Sequence, residues 1–187
     1  MITSLTNPCN YEGIVNEETE QAHRLAECLK SMGVTKVLDV GCGPGNYVTE
    51  MRKIGIEADG VDIDPRCKET PHCKQLDVTQ FKGEPPRYPI VISLEVGEHI
   101  PAHLSWNYVS YITNTKPDMV IFSAAIPGQG GDGHINLQYK SYWVHRFDVN
   151  GYQFDFLATE ELRGYMASGY HLGWFIQNVM VFTPKHA

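Results

Sequence analysis

The five cysteines, Cys9, Cys28, Cys42, Cys67 and Cys73, are odd in number, irregularly spaced and include no C-x-x-C pair. A disulfide framework is therefore not the basis of this fold, and no zinc-ribbon spacing is present. Cys67, His72 and Cys73 come nearest to a metal cluster and are read as packing and surface residues. Also missing is any run of Lys or Arg that could follow a phosphate backbone. The formal net charge is −7, so no dedicated nucleic-acid surface is expected. No apolar stretch approaches the ~18 residues of a membrane span, and "MITSLTNPCNYEG" has neither a basic start nor an apolar run of signal length. The expectation is a cytoplasmic protein with reduced thiols and no membrane partner.

What is present is ordinary globular composition, 42% hydrophobic and 20% charged, over 187 residues. That length suits one domain and is short for two. We expect a single domain over 1–187, with an N-terminal segment and helix (1–34), a first half (35–115) and a second half (116–187).

Apolar residues at Ala22, Leu25, Ala26, Leu29 and Met32 have helical spacing, and the helix read from Asn16 stops at Gly33. "KVLDV" (36–40) reads as a buried strand, followed by a glycine turn and the helix "NYVTEMRKIG". Further strands are "EADGVDID" (57–64), "CKQLDV" (73–78), "IVISL" (90–94), "DMVIFSAAI" (118–126), "YQFDFL" (152–157) and "NVMVFTP" (178–184). Helices are expected between His99 and Thr115, over 142–149 and over about 159–167, with a Pro-rich loop at "TQFKGEPPRYP". Short strands without alternation, separated by helices, imply βαβ units and a parallel sheet covered on both faces. Ligands of such sheets bind beyond the carboxyl ends of the strands.

The turn in "VLDVGCGPGNYV" spends Gly41, Gly43 and Gly45 within five positions between a strand and a helix. That arrangement presents free backbone N–H groups to a polar or anionic ligand. A nicotinamide fingerprint would want glycine or alanine where Asn46 stands, and the spacing here is G-x-G-x-G.

With "GVDIDP", "QLDVTQF" and "IVISLEVGEHIP" following in order, the chain resembles the class I S-adenosylmethionine-dependent methyltransferases. The segment "FSAAIPGQGGDGHINLQ" with Trp143 is similar to a subset of small stand-alone members. The resemblance implies an α/β, three-layer Rossmann-like methyltransferase fold with a mostly parallel seven-stranded sheet whose last strand is antiparallel. It implies S-adenosyl-L-methionine as cofactor and S-adenosyl-L-homocysteine as product. By the same resemblance Gly41, Cys42, Gly43 and Gly45 line the methionine part, Asp39 orients its ammonium, Asp62 accepts from the ribose hydroxyls, Asp77 and Val78 flank the adenine, and Glu95 lies near the methionine end.

The methyl acceptor is expected to be a small molecule, taken at oxygen or nitrogen. His134 is the expected proton acceptor, with His99 as runner-up and Glu98 also able to face the acceptor; a histidine near neutrality suits that role. Asn136 and Gln138 share the loop of His134. Trp106, Tyr139, Tyr142, Trp143, Tyr170 and Trp174 could roof the cleft, although such side chains usually belong to the core. Related metal-dependent enzymes place an acidic residue and an Asn at the end of the fifth strand, where this chain has "AAIPG", so no catalytic metal is expected. Three alternatives stay open at this point: methylation of a protein or nucleic acid, a nicotinamide oxidoreductase, and a non-catalytic cofactor-binding module.

Overall fold

The computed structural model describes residues 15–168 and 173–185, so Cys9 and Tyr170 lie outside the described residues. Helix α1 (Val15–Ser31) leads into strand β1 (Lys36–Val40), helix α2 (Asn46–Lys53) and strand β2 (Glu57–Asp62). Strands β3 (Cys73–Gln75) and β4 (Ile90–Leu94), helix α3 (Ser105–Asn114) and strand β5 (Met119–Ser123) follow. The second half ends with helix α4 (Lys140–Val149), strand β6 (Tyr152–Phe154), helices α5 (Phe156–Ala167) and α6 (Gly173–Asn178), and strand β7 (Met180–Pro184).

The strands form one seven-stranded sheet in the order β3-β2-β1-β4-β5-β7-β6. All pairs are parallel except those of β7, which runs antiparallel to both β5 and β6. The strand order reverses between β1 and β4, which opens a crevice at their carboxyl ends. This is the expected Rossmann-like sheet.

Why both faces are covered is visible along β4. Ile90 and Ile92 join Leu25, Leu29, Met51, Phe175 and Val181 in one core, on the side of α1, α2, α5 and α6. Val91 points to the other core, with Tyr108, Ile112, Phe122, Trp143 and Phe147 from the α3 and α4 side. A strand buried on both faces needs apolar residues at every position, which is the continuous run "IVISL". The second core is aromatic: Phe147 stacks on Phe182 with centroids 4.0 Å apart, and Phe122 meets Trp143 at 5.1 Å. Truncating one of these rings to alanine removes about 3–5 kcal/mol.

Several boundaries differ from the sequence expectation for local reasons. Strand β2 stops at Asp62 because Asp64 caps a 3₁₀ turn over Pro65–Glu69, accepting from the Arg66 N–H at 2.9 Å. The helix expected from His99 starts at Ser105, since Pro101 holds Ile100 extended and two short 3₁₀ turns intervene. Strand β6 ends early because Asp155 caps α5, accepting from Ala158 N–H at 3.0 Å. Asn178 closes α6, a helix the sequence reading did not contain, rather than opening the last strand.

Candidate functional site

The crevice begins at the glycine turn after β1. Gly41 has φ +86°, and a Cβ there would stand 2.3 Å from Cγ2 of Val96. Only glycine lets this backbone turn left-handed while lying against the segment that leaves β4. Gly41 N–H donates to the Val61 carbonyl at 2.8 Å, and Gly43 N–H donates to the Asp62 carboxylate at 2.7 Å. The other Asp62 oxygen accepts from Asp64 N–H at 2.7 Å. Burial pushes the Asp62 carboxyl up, and these two N–H donors partly offset it. Asp62 thus pins the turn to the end of β2, each oxygen keeping a further lone pair for a ligand hydroxyl.

Asp39, one residue before the end of β1, is 3% exposed, and among the described residues its Oδ2 has no hydrogen-bond partner. Burial, and after it the neighbouring Cys73 and Asp62, pushes its carboxyl well above the usual range. A buried acid without a partner is a poor choice for stability. It is a good one for a cationic ligand. Cys42 is buried, and its thiol donates to the Gly43 carbonyl of the turn at 3.7 Å. Beyond β3, Asp77 accepts from Thr79 N–H at 2.9 Å and from Thr79 hydroxyl at 2.6 Å, closing a tight turn. Val78 lines a surface pocket with Thr79, Asn107 and Tyr111.

Across the crevice, Glu95 takes a left-handed φ of +54°, which a non-glycine residue adopts only under constraint. Its N–H donates to the Ser123 carbonyl at 3.0 Å, and its carboxylate accepts from Asn178 Nδ2 at 3.2 Å. Asn178 also exchanges amide hydrogen bonds with Gln129, which accepts from it at 2.9 Å and donates back at 3.2 Å. Sequence reasoning missed Asn178 and Gln129. Their pairing spans 49 residues, and no local pattern announces it.

Glu98 is fully buried, and among the described residues neither of its oxygens has a hydrogen-bond donor. Burial, then the adjacent Glu95 charge, pushes its carboxyl up to about 9. His134 brings Nε2 to 3.9 Å from Glu98 Oε1, and its own Nδ1 is buried without a partner. His99 packs edge-on against His134 with centroids 5.1 Å apart. Because a carbonyl can only accept, His99 Nδ1–H donates to Gly133 O, at 3.1 Å. Burial lowers the pKa of His99, and the nearby His134 lowers it further.

The loop that carries His134 is stitched down by Ile135 and Asn136, whose N–H groups donate to the Glu98 carbonyl at 3.0 and 2.9 Å. Asn136 is itself buried and accepts from Gln138 at 2.9 Å. The sequence-predicted Glu95, Glu98, His99 and His134 therefore come together, at the carboxyl ends of β4 and β5.

The aromatic residues divide. Trp143 is fully buried in the core, with Cζ2 2.6 Å from where a Cβ on Gly97 would be, so it supports the site from beneath. Tyr142 is stacked by Arg146, whose guanidinium lies 3.2 Å from the ring centroid, and Trp106 takes the same guanidinium at 4.6 Å. Trp174 packs edge-on against Phe175. Tyr139 is largely exposed.

Residues 16–154 match the family model described as "Methyltransferase domain". The chain belongs to this methyltransferase family. S-adenosylmethionine is its cofactor, which settles the glycine turn against a nicotinamide. The fold is similar to magnesium protoporphyrin IX methyltransferase from Synechocystis PCC 6803 with bound S-adenosylhomocysteine, at 16% identity and TM-score 0.63, covering 91% of this chain and 84% of that one. It is similar to the S-adenosylmethionine-bound amino pentose methyltransferase CalS10 from Micromonospora echinaspora, at 12% identity and TM-score 0.68, covering 94% and 96%. A third likeness is the sugar N-methyltransferase KedS8 from Streptoalloteichus sp ATCC 53650, at 13% identity and TM-score 0.65, covering 94% and 90%. No curated protein matches the sequence. Among the described residues, no helix of the methyltransferase is long and apolar enough to cross a membrane.

Proposed function

We propose that the methyltransferase acts on an oxygen or nitrogen of a small-molecule acceptor, as one domain over 1–187. The observation that carries this reading is the cluster of buried Glu98 with half-buried His99 and His134 at the carboxyl ends of β4 and β5. Similar structures are named as methyltransferases of magnesium protoporphyrin IX, of an amino pentose and of a sugar nitrogen, all small acceptors. Among the described residues, four free, buried thiols suit a reducing, cytoplasmic setting.

In this reading Asp39 pairs with the cofactor's ammonium, and backbone N–H groups at 41–45 receive its carboxylate. Asp62 accepts from the ribose hydroxyls, and Asp77 and Val78 flank the adenine. Glu95, fixed by Asn178, borders the methionine end. The acceptor's nucleophilic atom attacks the methyl carbon in line as the carbon–sulfur bond breaks, and the sulfonium leaves as a neutral thioether. Alignment supplies most of the acceleration. Glu98, His99 and His134 act as a set on the acceptor, binding it and easing the loss of its proton.

Methyl-labelled S-adenosylmethionine incubated with fractionated cell extract and the enzyme tests this. Label should enter the low-mass fraction and disappear with His134→Ala. Label confined to protein or nucleic acid would overturn the small-molecule acceptor.

A further inference from the structure

The group around Glu98 has a composition and geometry that acceptor binding alone does not require. One ligand atom from each of Glu98, His99 and His134 lies within 4.8 Å of the other two. Donors about 2.0–2.2 Å from a common ion stand up to about 4.4 Å apart, so a slight contraction brings all three into coordination. Among the described residues both oxygens of the buried Glu98 carboxylate lack a hydrogen-bond partner, and the nearest basic atom to them is His134 Nε2, 3.9 Å from Oε1. Fully buried carboxylates are normally hydrogen-bonded or bound to a cation.

The surroundings fit ligation. His99 donates Nδ1–H to the Gly133 carbonyl, which fixes the tautomer and leaves Nε2 as the lone-pair nitrogen. A metal-ligating histidine is typically anchored through its other nitrogen in this way. Glu95 lies next to Glu98 and is held from behind by Asn178, so a fourth donor is at hand. The glycine loop closes over both rings: a Cβ on Gly131 would meet His134 Nε2 at 2.3 Å, and one on Gly133 would meet His99 Nδ1 at 3.2 Å.

We infer that Glu95, Glu98, His99 and His134 bind one divalent transition-metal cation, to which the methyl acceptor attaches through a hydroxyl oxygen. Two carboxylates balance the double positive charge. Two imidazoles favour Mn²⁺, Fe²⁺, Co²⁺ or Zn²⁺ over Mg²⁺, which prefers oxygen donors and retained water. The role of the cation rests on the acceptor site proposed above, whereas its binding does not.

The chemistry narrows the acceptor class. A hydroxyl oxygen donating one lone pair to the cation becomes more acidic and releases its proton to solvent. A remaining oxygen lone pair forms the bond to the methyl carbon, while the carbon–sulfur pair stays on sulfur as S-adenosylhomocysteine forms. The cation stays divalent throughout. An amine would have its only lone pair occupied by the cation, so the site selects oxygen.

The test uses the full chain, stripped with chelator and titrated with Mn²⁺ while the free ion is followed by electron paramagnetic resonance. One saturable site is expected, weakened more than about tenfold in Glu98→Gln and in His134→Gln, with S-adenosylhomocysteine affinity retained in both variants as a check of folding. Chelator should also abolish methyl transfer, and Mn²⁺ should restore it. No saturable binding of Mn²⁺ or Zn²⁺, or binding that both variants leave intact, would overturn the site. Retained cofactor affinity and transfer without metal would then leave the methyltransferase reading standing alone.

Discussion

At the residue scale, Asp39 carries a cost that the proposed pairing with the cofactor's ammonium would relieve. In the free protein it is buried and its Oδ2 is unpartnered, with a raised pKa. A group whose folded pKa is raised contributes stability that is fully present below the ordinary carboxylate range and is lost as pH rises through the raised value. An ammonium beside the carboxylate reverses the shift. Binding should therefore release a proton from Asp39 and tighten as pH rises toward the raised value. Calorimetry with S-adenosylhomocysteine in two buffers of different ionisation enthalpy measures this; identical heats would contradict it. Asp39→Asn should weaken binding by about 1–3 kcal/mol, for a lost hydrogen bond to a charged group, while the free protein melts at or above the wild-type temperature. A loss of thermal stability would mean Asp39 serves the fold instead.

At the element scale, the segment between β4 and α3 is the part on which the site depends. It carries Glu95, Glu98 and His99, and Gly97 sits directly on the buried indole of Trp143. Gly97→Ala adds a methyl 2.6 Å from Cζ2 and 3.2 Å from the Ala124 Cβ, where neither neighbour has room to yield. Overpacking of this kind costs about 1–3 kcal/mol, so urea unfolding should show that loss together with reduced transfer. Pairing it with Trp143→Phe should recover part of the stability, a coupling expected of residues in contact. Wild-type stability in Gly97→Ala alone would show that the segment is loosely held.

The elements differ in how legible they are. β1 and β4 emerge from sequence with their observed limits, because strands buried on both faces are mostly apolar and end abruptly at a glycine or an acid. The strand ends at Asp62, Gln75 and Phe154 are shorter than expected, since Asx-type caps and turns compete with the ladder at the sheet edges. Glu95, Glu98, His99 and His134 could be listed from sequence because every loop at a strand's carboxyl end opens on the same crevice. That the four converge could not, because it depends on the hydrogen bonds from the 135–136 backbone to Glu98 and on the Asn178–Gln129 pair. The proposed metal group is not legible at Cys67, His72 and Cys73 or after β5; E-x-x-E-H would supply three of its four donors from one turn of chain.

At the scale of the whole molecule, the proposed cofactor contacts join both halves of the sheet. β1 and β2 contribute Asp39 and Asp62, while Glu95 follows β4 and is tied through Asn178 to α6. S-adenosylhomocysteine at 100 times its dissociation constant should stabilise the folded chain by about 2.7 kcal/mol. For this size that is a rise of roughly 5–10 °C in melting temperature. Scanning calorimetry with and without ligand reads it directly, and an unshifted transition would mean that the crevice does not bind.

The most direct test of the account is a crystal structure of the chain with S-adenosylhomocysteine. The ammonium should rest on Asp39, the ribose hydroxyls on Asp62, and the sulfur should face Glu95, Glu98 and His134 across an open space for the acceptor. A cofactor whose sulfur points away from that group, with the adenine or solvent there instead, would contradict it.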